Sequence, residues 1–234
     1  MARRCQILLI SGSLRASSTN TALLRTARAV ASDAITTVLY GGMGALPHFN
    51  PDDDREGEPV HPAVADLRRA VSAADALLVC TPEYAGALPG SFKNLLEWTV
   101  GDASTYERPV AWINASGPAA PSGGADAHES LSKVLGYVGA NVVEAACARI
   151  PLTRDVVGAD RVKADREVPG SGEALEHRDR LLGRPAQVRH PQHDVAAELT
   201  VRPDQQHGDA IHNLLHPLHD QHSRLLATRP NIPP

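Results

Sequence analysis

Short apolar runs alternate with longer segments whose apolar residues recur every three or four positions, and this alternation constrains the fold most. The runs lie at 7–10, 35–40, 76–80, 110–113 and 142–150, the last interrupted by Glu144. The first, third and fourth of these runs are apolar throughout, which is typical of strands covered on both faces. Strands that alternate with helices in this way form βαβ units. We therefore predict a three-layer α/β domain around a five-stranded parallel sheet.

The segments between the runs have helical periodicity. The sets that share one helical face are Leu23, Ala27, Val30 and Ala31; Val64, Leu67 and Val71; and Leu131, Val134, Leu135 and Val138. Pro62 and Pro89 are well placed in first helical turns. After Pro89, we expect a buried stripe formed by Phe92, Leu95 and Leu96.

Charge and cysteine content argue against several classes of protein. The 234 residues carry a formal net charge of -4 without a basic stripe or arm, so we expect no nucleic-acid partner. Cys5, Cys80 and Cys147 lie far apart and form no CxxC pair or disulfide framework, which favours a reducing cytoplasm. The apolar run at 7–10 is too short for a signal peptide or a membrane span, so we expect no membrane association.

The chain changes character near residue 161. Eight of the 11 histidines lie at or after His177, and no Phe, Tyr or Trp follows Tyr137. Clean apolar periodicity is lost, so this segment cannot bury enough apolar surface to offset the entropy of ordering it. We predict a domain at residues 1–160 and a largely disordered tail, rich in His, Pro and Arg, at 161–234.

Two further features of the tail bear on its possible role. A close series of histidines could chelate a metal, but Pro217 interrupts any helix that would align them. The series comprises His212, His216, His219 and His222, and we predict no metal site. The abrupt change of composition resembles either a shifted reading frame or a natural variant end. On this hypothesis the last helix that would cover the sheet is absent or poorly formed.

A loop of small, hydroxyl-bearing residues follows the first apolar run and reads SGSLRASSTN over positions 11–20. Its backbone can curl tightly, so that hydroxyls and free N–H groups face outward. Arg15 adds a full charge to the positive end of the following helix dipole. A helix cap needs one Ser or Asn, and this loop has five in addition to the arginine. Because neither GK[ST] nor GxGxxG is present, we predict a phosphate loop outside the Walker and dinucleotide classes.

Two more loops follow predicted strands. Pro82 and Gly86 bracket one that can present N–H groups and the Tyr84 ring to a flat ligand, although a tyrosine there is often only a packed corner. A Gly- and Ser-rich loop at 116–124 follows the fourth strand. Ligands of open α/β sheets bind outside the carboxyl ends of the strands, where the strand order reverses. If the first and third strands are neighbours there, their loops share one crevice.

Together these motifs resemble those of the NADPH-dependent FMN reductase family, which includes azo-, quinone- and chromate-reducing flavoenzymes. The residues at 12–15, with Ser18 and Asn20, match its GSLRxxSxN pattern. The segment 81–98 is similar to its second signature, PEYNxxxPGxLKNxxDW. The resemblance covers about residues 5–155 and implies a flavodoxin-like fold.

The resemblance also implies a cofactor and the residues that hold it. FMN would be bound, with NADPH or NADH as co-substrate and a quinone, azo compound, metal oxyanion or free flavin as small-molecule electron acceptor. The FMN phosphate would contact Ser13, Arg15, Ser18 and Asn20. The isoalloxazine would be lined by Pro82, Glu83, Tyr84 and Gly86, with Ser116 and Gly117 closing the site. A homodimer or homotetramer is implied as well.

This chain departs from the second signature of the family at positions that include 85 and 97. Ala85 stands where the family has asparagine, so we expect one polar contact near the flavin to be missing; Glu97 replaces the usual Asp. No catalytic acid or base is predicted, and Glu83 is expected to position the site. Cys80 lies at a strand end, but Gly86 stands where the Cys-x5-Arg phosphatase pattern requires arginine, which favours a buried structural thiol.

Two alternative functions stay open at this point. One is a non-enzymatic electron carrier or flavin-binding regulator; carriers of this fold are usually strongly acidic, so a charge of -4 argues weakly against that role. The other is a poorly folded, inactive protein, caused by the altered C-terminal segment. Flavin binding together with NAD(P)H oxidation distinguishes the three.

Overall fold

A computed structural model describes residues 4–117, 120–152, 157–158, 162 and 215–217. The strands in this part of the chain are β1 (Cys5–Ser11), β2 (Ile35–Tyr40), β3 (Ala76–Cys80), β4 (Pro109–Asn114), β5 (Asn141–Val142) and β6 (Ala148–Arg149). The α-helices of eight or more residues in this part of the chain are α1 (Thr19–Val30), α2 (Pro62–Ala73), α3 (Gly90–Glu97) and α4 (Ala125–Tyr137). Short 3-10 turns occur at Met43–Ala45, Pro51–Asp53 and Glu144–Ala146.

The strands form one parallel sheet in the order β2-β1-β3-β4-β5, with β6 also paired to β4. This is the flavodoxin-like order, which reverses between β1 and β3. The predicted α/β fold is therefore confirmed. Because the strands are parallel, the loops after β1, β3 and β4 all leave the sheet at the same edge.

The predicted fifth strand at 142–150 is divided in two. Val142 pairs with Val110 and Ala148 pairs with Ile113, so five residues of the edge segment stand opposite two of β4. The extra residues leave the ladder through the turn Glu144–Ala146, which places the exposed Glu144 in solvent. The chain then re-enters beside β4, where the Ile150 N–H donates to the Asn114 carbonyl at 2.7 Å. An apolar run with one central acid thus forms a bulged edge.

Each face of the sheet has its own core. Leu23, Leu24 and Ala27 of α1 pack against one face. The other face is covered by α2, α3 and α4 through Val64, Leu67, Val71, Phe92, Leu95, Leu96, Leu131 and Leu135. All of these side chains are at most 2% exposed, so the predicted helical faces are the buried ones.

The α1 face also receives residues from the predicted tail. Val162 is 5% exposed, and its N–H donates to Thr26 Oγ1 on α1 at 3.0 Å. Leu215, in a short helical piece, is 1% exposed and belongs to the same apolar cluster as α1. Apart from residues 216–217 of this helical piece, the remainder of the segment predicted to be disordered lies outside the described residues. Among the described helices, none is long and apolar enough to cross a membrane.

Candidate functional site

The loop after β1 is folded by its own hydroxyl groups. Ser11 Oγ accepts from the Ser13 N–H at 3.3 Å, and Ser13 Oγ accepts from the Arg15 N–H at the same distance. Ser18 is the N-cap of α1, and its hydroxyl accepts from the Thr21 N–H at 3.4 Å. These short-range bonds use the serines that the sequence singled out, and they hold the loop in a tight curve.

The same loop leaves backbone donors available. The N–H groups of residues 16–20 make no hydrogen bond to any acceptor in the described part of the chain. They lie at the positive end of the dipole of the 12-residue helix α1. Arg15, exposed on this loop, adds a full positive charge. An anion held here would meet N–H donors, hydroxyls and a guanidinium, so the loop fits a phosphate.

The loops after β1 and β3 are in direct contact. The Gly12 N–H donates to the Cys80 carbonyl at 2.9 Å, and a Cβ on Gly12 would lie 2.3 Å from Thr81 Oγ1. Only glycine permits this approach. Asn20 is tied to the same point, because its Oδ1 accepts from the Cys80 thiol at 3.1 Å. Burial raises the pKa of Cys80 far above its ordinary value, so the thiol stays protonated and structural.

The loop after β3 is a tight hairpin. The N–H groups of Tyr84 and Ala87 each donate to the other's carbonyl, at 3.0 and 3.2 Å. The two residues between them, Ala85 and Gly86, have φ of 52° and 70°, as in a type I′ turn. The Tyr84 side chain is 47% exposed at this turn. The hairpin thus presents an aromatic ring at the edge of the sheet.

Glu83 connects this hairpin to the third loop and to α4. Its Oε2 accepts from Ser122 Oγ at 2.6 Å and from the Ala127 N–H at 3.2 Å. Gly124, the N-cap of α4, has φ of 80° and offers no capping side chain. The Glu83 carboxylate therefore caps the helix from a different loop, where the helix dipole favours a negative charge. This geometry supports a positioning role for Glu83.

Asn114 organises the loop after β4, and sequence reasoning missed it. Its side chain is 3% exposed; Nδ2 donates to the Gly123 carbonyl at 2.6 Å and Oδ1 accepts from the Ser116 N–H at 2.7 Å. A Cβ on Gly124 would lie 2.4 Å from Ser116 Oγ. Ser116, which is expected to close the site together with Gly117, is held by these contacts. A polar residue at the end of an otherwise apolar strand was the available signal.

His128, one turn into α4, was also missed. Its ring lies on Trp112 of β4, with ring centroids 3.8 Å apart, and Nδ1 has no hydrogen-bond partner among the described atoms. Burial, with a contribution from Arg149, lowers the pKa of His128 to about 4, against the opposing effect of Glu83. The imidazole is therefore neutral at neutral pH. It serves here as an aromatic packing group beneath the third loop.

An open cavity of about 200 Å³ adjoins the third loop. It is lined by Asn114, Ser116, Gly117, Gly123, Arg149 and Pro151. A separate cavity of about 290 Å³ lies between β2 and α2 and contains none of the predicted site residues. Within that second cavity, burial and Asp66 raise the pKa of Tyr40, so the phenol stays neutral. Of these two cavities in the described part of the chain, the one beside Arg149 adjoins residues expected to line a ligand.

The order of the sheet and the loops at its edge agree with a match of residues 5–152 to the family model of NADPH-dependent FMN reductases. The chain belongs to this family. The match includes all three loops described above and ends at the last residue of the continuous described segment, Leu152.

Relatives in this family are oxidoreductases by name. A protein of Oryza sativa subsp. japonica named "Probable NADPH:quinone oxidoreductase 2" is 36% identical over 116 residues, which are 48% of this chain and 56% of that protein. An NAD(P)H-dependent FMN reductase of Pseudomonas aeruginosa is 39% identical over 93 residues, 40% of this chain and 49% of its own length. The chain thus spans about half the length of these curated relatives.

A solved structure shares the fold. The flavoenzyme NAD(P)H:(acceptor) oxidoreductase FerB of Paracoccus denitrificans superposes with a TM-score of 0.58 at 27% identity. The superposition covers 68% of this chain and 86% of that one.

The C-terminal part of the second FMN reductase signature has a structural role. Asn94 Oδ1 accepts from the Phe49 N–H at 2.7 Å, while Asn94 Nδ2 and Trp98 Nε1 both donate to the Pro47 carbonyl at 2.9 Å. Trp98 is fully buried and meets the Phe49 ring edge to face. Glu97, which replaces the family's Asp, pairs with Lys93 at 2.7 Å. These residues fasten the loop at 47–49 to α3 and do not reach the three-loop edge.

Among the described residues, no group of three or more His, Cys, Asp or Glu side chains could hold a metal ion. This finding does not test the prediction that the histidine series forms no metal site, because His212, His219 and His222 lie outside the described residues. The candidate site is therefore defined by three loops, the N-terminus of α1 and the cavity beside Arg149.

Proposed function

We propose that this chain is an FMN-containing oxidoreductase that uses NADPH or NADH to reduce a small-molecule acceptor, a quinone in the first instance. The observation that carries this proposal is the joining of the three loops at one edge of the sheet. The Gly12–Cys80 and Ser122–Glu83 hydrogen bonds make that edge continuous. Quinone is favoured because relatives are named quinone oxidoreductases; azo compounds, metal oxyanions and free flavin are the other acceptors proposed.

The residues present fit FMN in the manner that the family motif implies. The phosphate would be held by the free N–H groups at the start of α1 together with Ser13, Arg15, Ser18 and Asn20. The ring would lie against Pro82, Glu83, Tyr84 and Gly86, with Ser116 and Gly117 on its far side. The exposed ring of Tyr84 and the uncovered N–H groups of residues 16–20 support this placement.

The chemistry that FMN supplies when bound is the transfer of hydride from NAD(P)H and of electrons onward to an acceptor. The protein's own groups orient the reactants and exclude water from the site. Glu83 holds two loops and the start of α4 in fixed relation, and Asn114 fixes the third loop. No side chain is assigned a proton-transfer or nucleophilic step, since Cys80 is buried and protonated and Glu83 is already hydrogen-bonded.

We also propose a homodimer or homotetramer in the cytoplasm. The location is supported by three cysteines that remain free and buried. The assembly is proposed by analogy with the family. Size-exclusion chromatography with light scattering measures the assembly directly.

Steady-state kinetics test the proposed activity. The full chain is loaded with FMN, and NADPH oxidation is followed at 340 nm with and without 2-methyl-1,4-naphthoquinone. Oxidation that requires both protein-bound FMN and quinone supports the proposal. Tight FMN binding without NADPH or NADH oxidation would instead support the electron carrier or regulator, and absence of flavin binding would support the inactive protein.

A further inference from the structure

Arg149 provides a positive charge beside the site. The proposed FMN contacts do not use this charge. Arg149 is the register partner of Asn114, on β6 and β4 respectively. Its neighbours Ala148 and Ile150 are buried in the α1-side core, whereas Arg149 is exposed. Because side chains alternate along a strand, the Arg149 side chain lies on the α4 side of the sheet, with the third loop.

The guanidinium is available to a ligand. Arg149 forms no ion pair with any described residue. It lines the cavity of about 200 Å³ together with Asn114 and Ser116, and the cavity is open to solvent. A guanidinium can bind both oxygens of a carboxylate or sulfonate at once. The cavity therefore combines a guanidinium that has no ion-pair partner among the described residues with room for an anionic group.

We propose that Arg149 binds the anionic group of the electron acceptor, a carboxylate or sulfonate carried on the ring that is reduced. This inference rests on the proposed function. The cavity begins at Ser116 and Gly117, the residues proposed to close the ring site, so a group held by Arg149 lies next to the place where the acceptor must meet the flavin. Arg149 selects the acceptor; it takes no part in electron transfer.

The position of the cation favours the acceptor over the nucleotide as the source of the anion. In NADPH the 2′-phosphate is separated from the nicotinamide by two riboses and a pyrophosphate, so the phosphate lies far from the reacting ring. On a quinone or azo compound the charged group is attached to the reacting ring system itself. The protein as a whole carries a net charge of -4 and repels anions. A preference for an anionic acceptor therefore requires a local cation such as Arg149.

The experiment compares two acceptors that share a naphthoquinone ring. These are 2-methyl-1,4-naphthoquinone, which is neutral, and 1,4-naphthoquinone-2-sulfonate, which is anionic. The measured quantity is the ratio of kcat/KM for the anionic acceptor to kcat/KM for the neutral one, at low and high salt. Using the ratio cancels differences in flavin content between variants.

Arg149→Gln is expected to lower this ratio roughly tenfold at low salt, through a higher KM for the sulfonate. Arg149→Lys keeps the charge and should restore most of the ratio. The matched control is Arg69→Gln, which removes the same charge from an exposed ion pair with Asp66 on α2. The control should leave the ratio unchanged, because α2 is not part of the cavity.

Two results would overturn the proposal. One is an equal ratio in the parent protein, Arg149→Gln and Arg69→Gln. The other is a higher KM for NADPH, or for both NADPH and NADH, in Arg149→Gln while the acceptor ratio is unchanged, which would assign the anion to the nucleotide phosphates. If neither quinone is reduced, the proposed function fails separately. Equilibrium dialysis of the naphthoquinone sulfonate against the parent and Arg149→Gln then still decides whether Arg149 binds the anion.

Discussion

Glu83 Oε2 and Ser122 Oγ form a 2.6 Å hydrogen bond that joins the loop after β3 to the loop after β4. The same carboxylate oxygen caps α4 at the Ala127 N–H. One side chain thus fixes the relation between two of the three loops that form the candidate site. Its removal should affect both the stability of the fold and the shape of the site.

Glu83→Ala should lower the free energy of unfolding by about 1–3 kcal/mol, because two hydrogen-bond donors lose a charged acceptor. Glu83→Gln retains a neutral acceptor and should cost less. Ser122→Ala is the comparison variant: it removes the bond to Glu83 and the bond that Ser122 Oγ accepts from the Gly124 N–H, but it leaves the Glu83 cap at the Ala127 N–H. Urea unfolding curves measure the order of stability among these variants. Equal stability of Glu83→Ala and the parent would show that the carboxylate is dispensable.

The hairpin at Ala85 offers a stabilising substitution. Ala85 has φ of 52°, a left-handed conformation that costs an alanine about 1–2 kcal/mol and costs asparagine or glycine less. Ala85→Asn, which restores the family's residue, should therefore raise the free energy of unfolding by about 0.5–1 kcal/mol.

The control for this substitution is Ala87→Asn, two residues along the same hairpin, where φ is not positive. It should give no stabilisation. Thermal unfolding of the three proteins measures the difference. A lower melting temperature for Ala85→Asn than for the parent would contradict the turn assignment.

His128 gives the protein a dependence on acid. Its pKa is lowered to about 4 by burial, below the value of about 6.5 in an unfolded chain. The unfolded state therefore binds a proton more readily, and stability is full above pH 6.5 and is lost as pH falls toward 4. The loss approaches about 3 kcal/mol when complete, at 1.36 kcal/mol for each pKa unit.

Urea unfolding between pH 7 and pH 4.5 tests this dependence. His128→Phe keeps an aromatic ring against Trp112 and removes the titrating group, so its stability should fall less over the same interval. Parallel pH profiles for the parent and His128→Phe would show that His128 does not contribute to the slope.

Leu215 is expected to support the α1 face, although it lies in the segment predicted to be a disordered tail. It is 1% exposed in the same cluster as Leu24 and Ala27, so Leu215→Ala should cost about 2–4 kcal/mol through the lost contacts and the cavity. Val100→Ala, at a position that is 57% exposed, is the control and should cost much less.

A chain ending at residue 160 extends this test. It lacks both Val162 and Leu215, so we expect a lower melting temperature and more aggregation than for the full chain. The hypothesis of a dispensable tail makes the opposite prediction, an equally stable and more soluble short form. Differential scanning calorimetry together with light scattering separates the two.

Much of the fold followed from hydrophobic pattern alone. The strands at 7–10, 76–80 and 110–113 are apolar throughout, and such continuous apolar runs are typical of parallel strands that are buried on both faces. The bulged edge at 142–150 did not follow, because an interrupted apolar run has the same composition as a continuous strand. The burial of Leu215 did not follow either, since that contact depends on chain packing more than 180 residues away from Leu24 and Ala27.

The candidate site was predictable where the loop residues form a local motif. The serines at 13 and 18 bond within a few residues of themselves, so their local arrangement is encoded locally. Asn114, His128 and Arg149 were missed because their roles arise from neighbouring strands and from α4. At Ala85 the sequence predicts a lost polar contact, and the positive φ of this residue shows that the family's asparagine also suits the backbone conformation.

Anaerobic reduction of the bound flavin tests the reductase assignment and the three-loop site together. The purified full chain is loaded with FMN, freed of unbound flavin and oxygen, and mixed with NADPH while the flavin absorbance near 450 nm is recorded. We expect stoichiometric FMN binding and rapid bleaching of that band, followed by its recovery when quinone is added. Bound flavin that stays oxidised with both NADPH and NADH would contradict the reductase assignment, and failure to retain FMN would contradict the three-loop site itself.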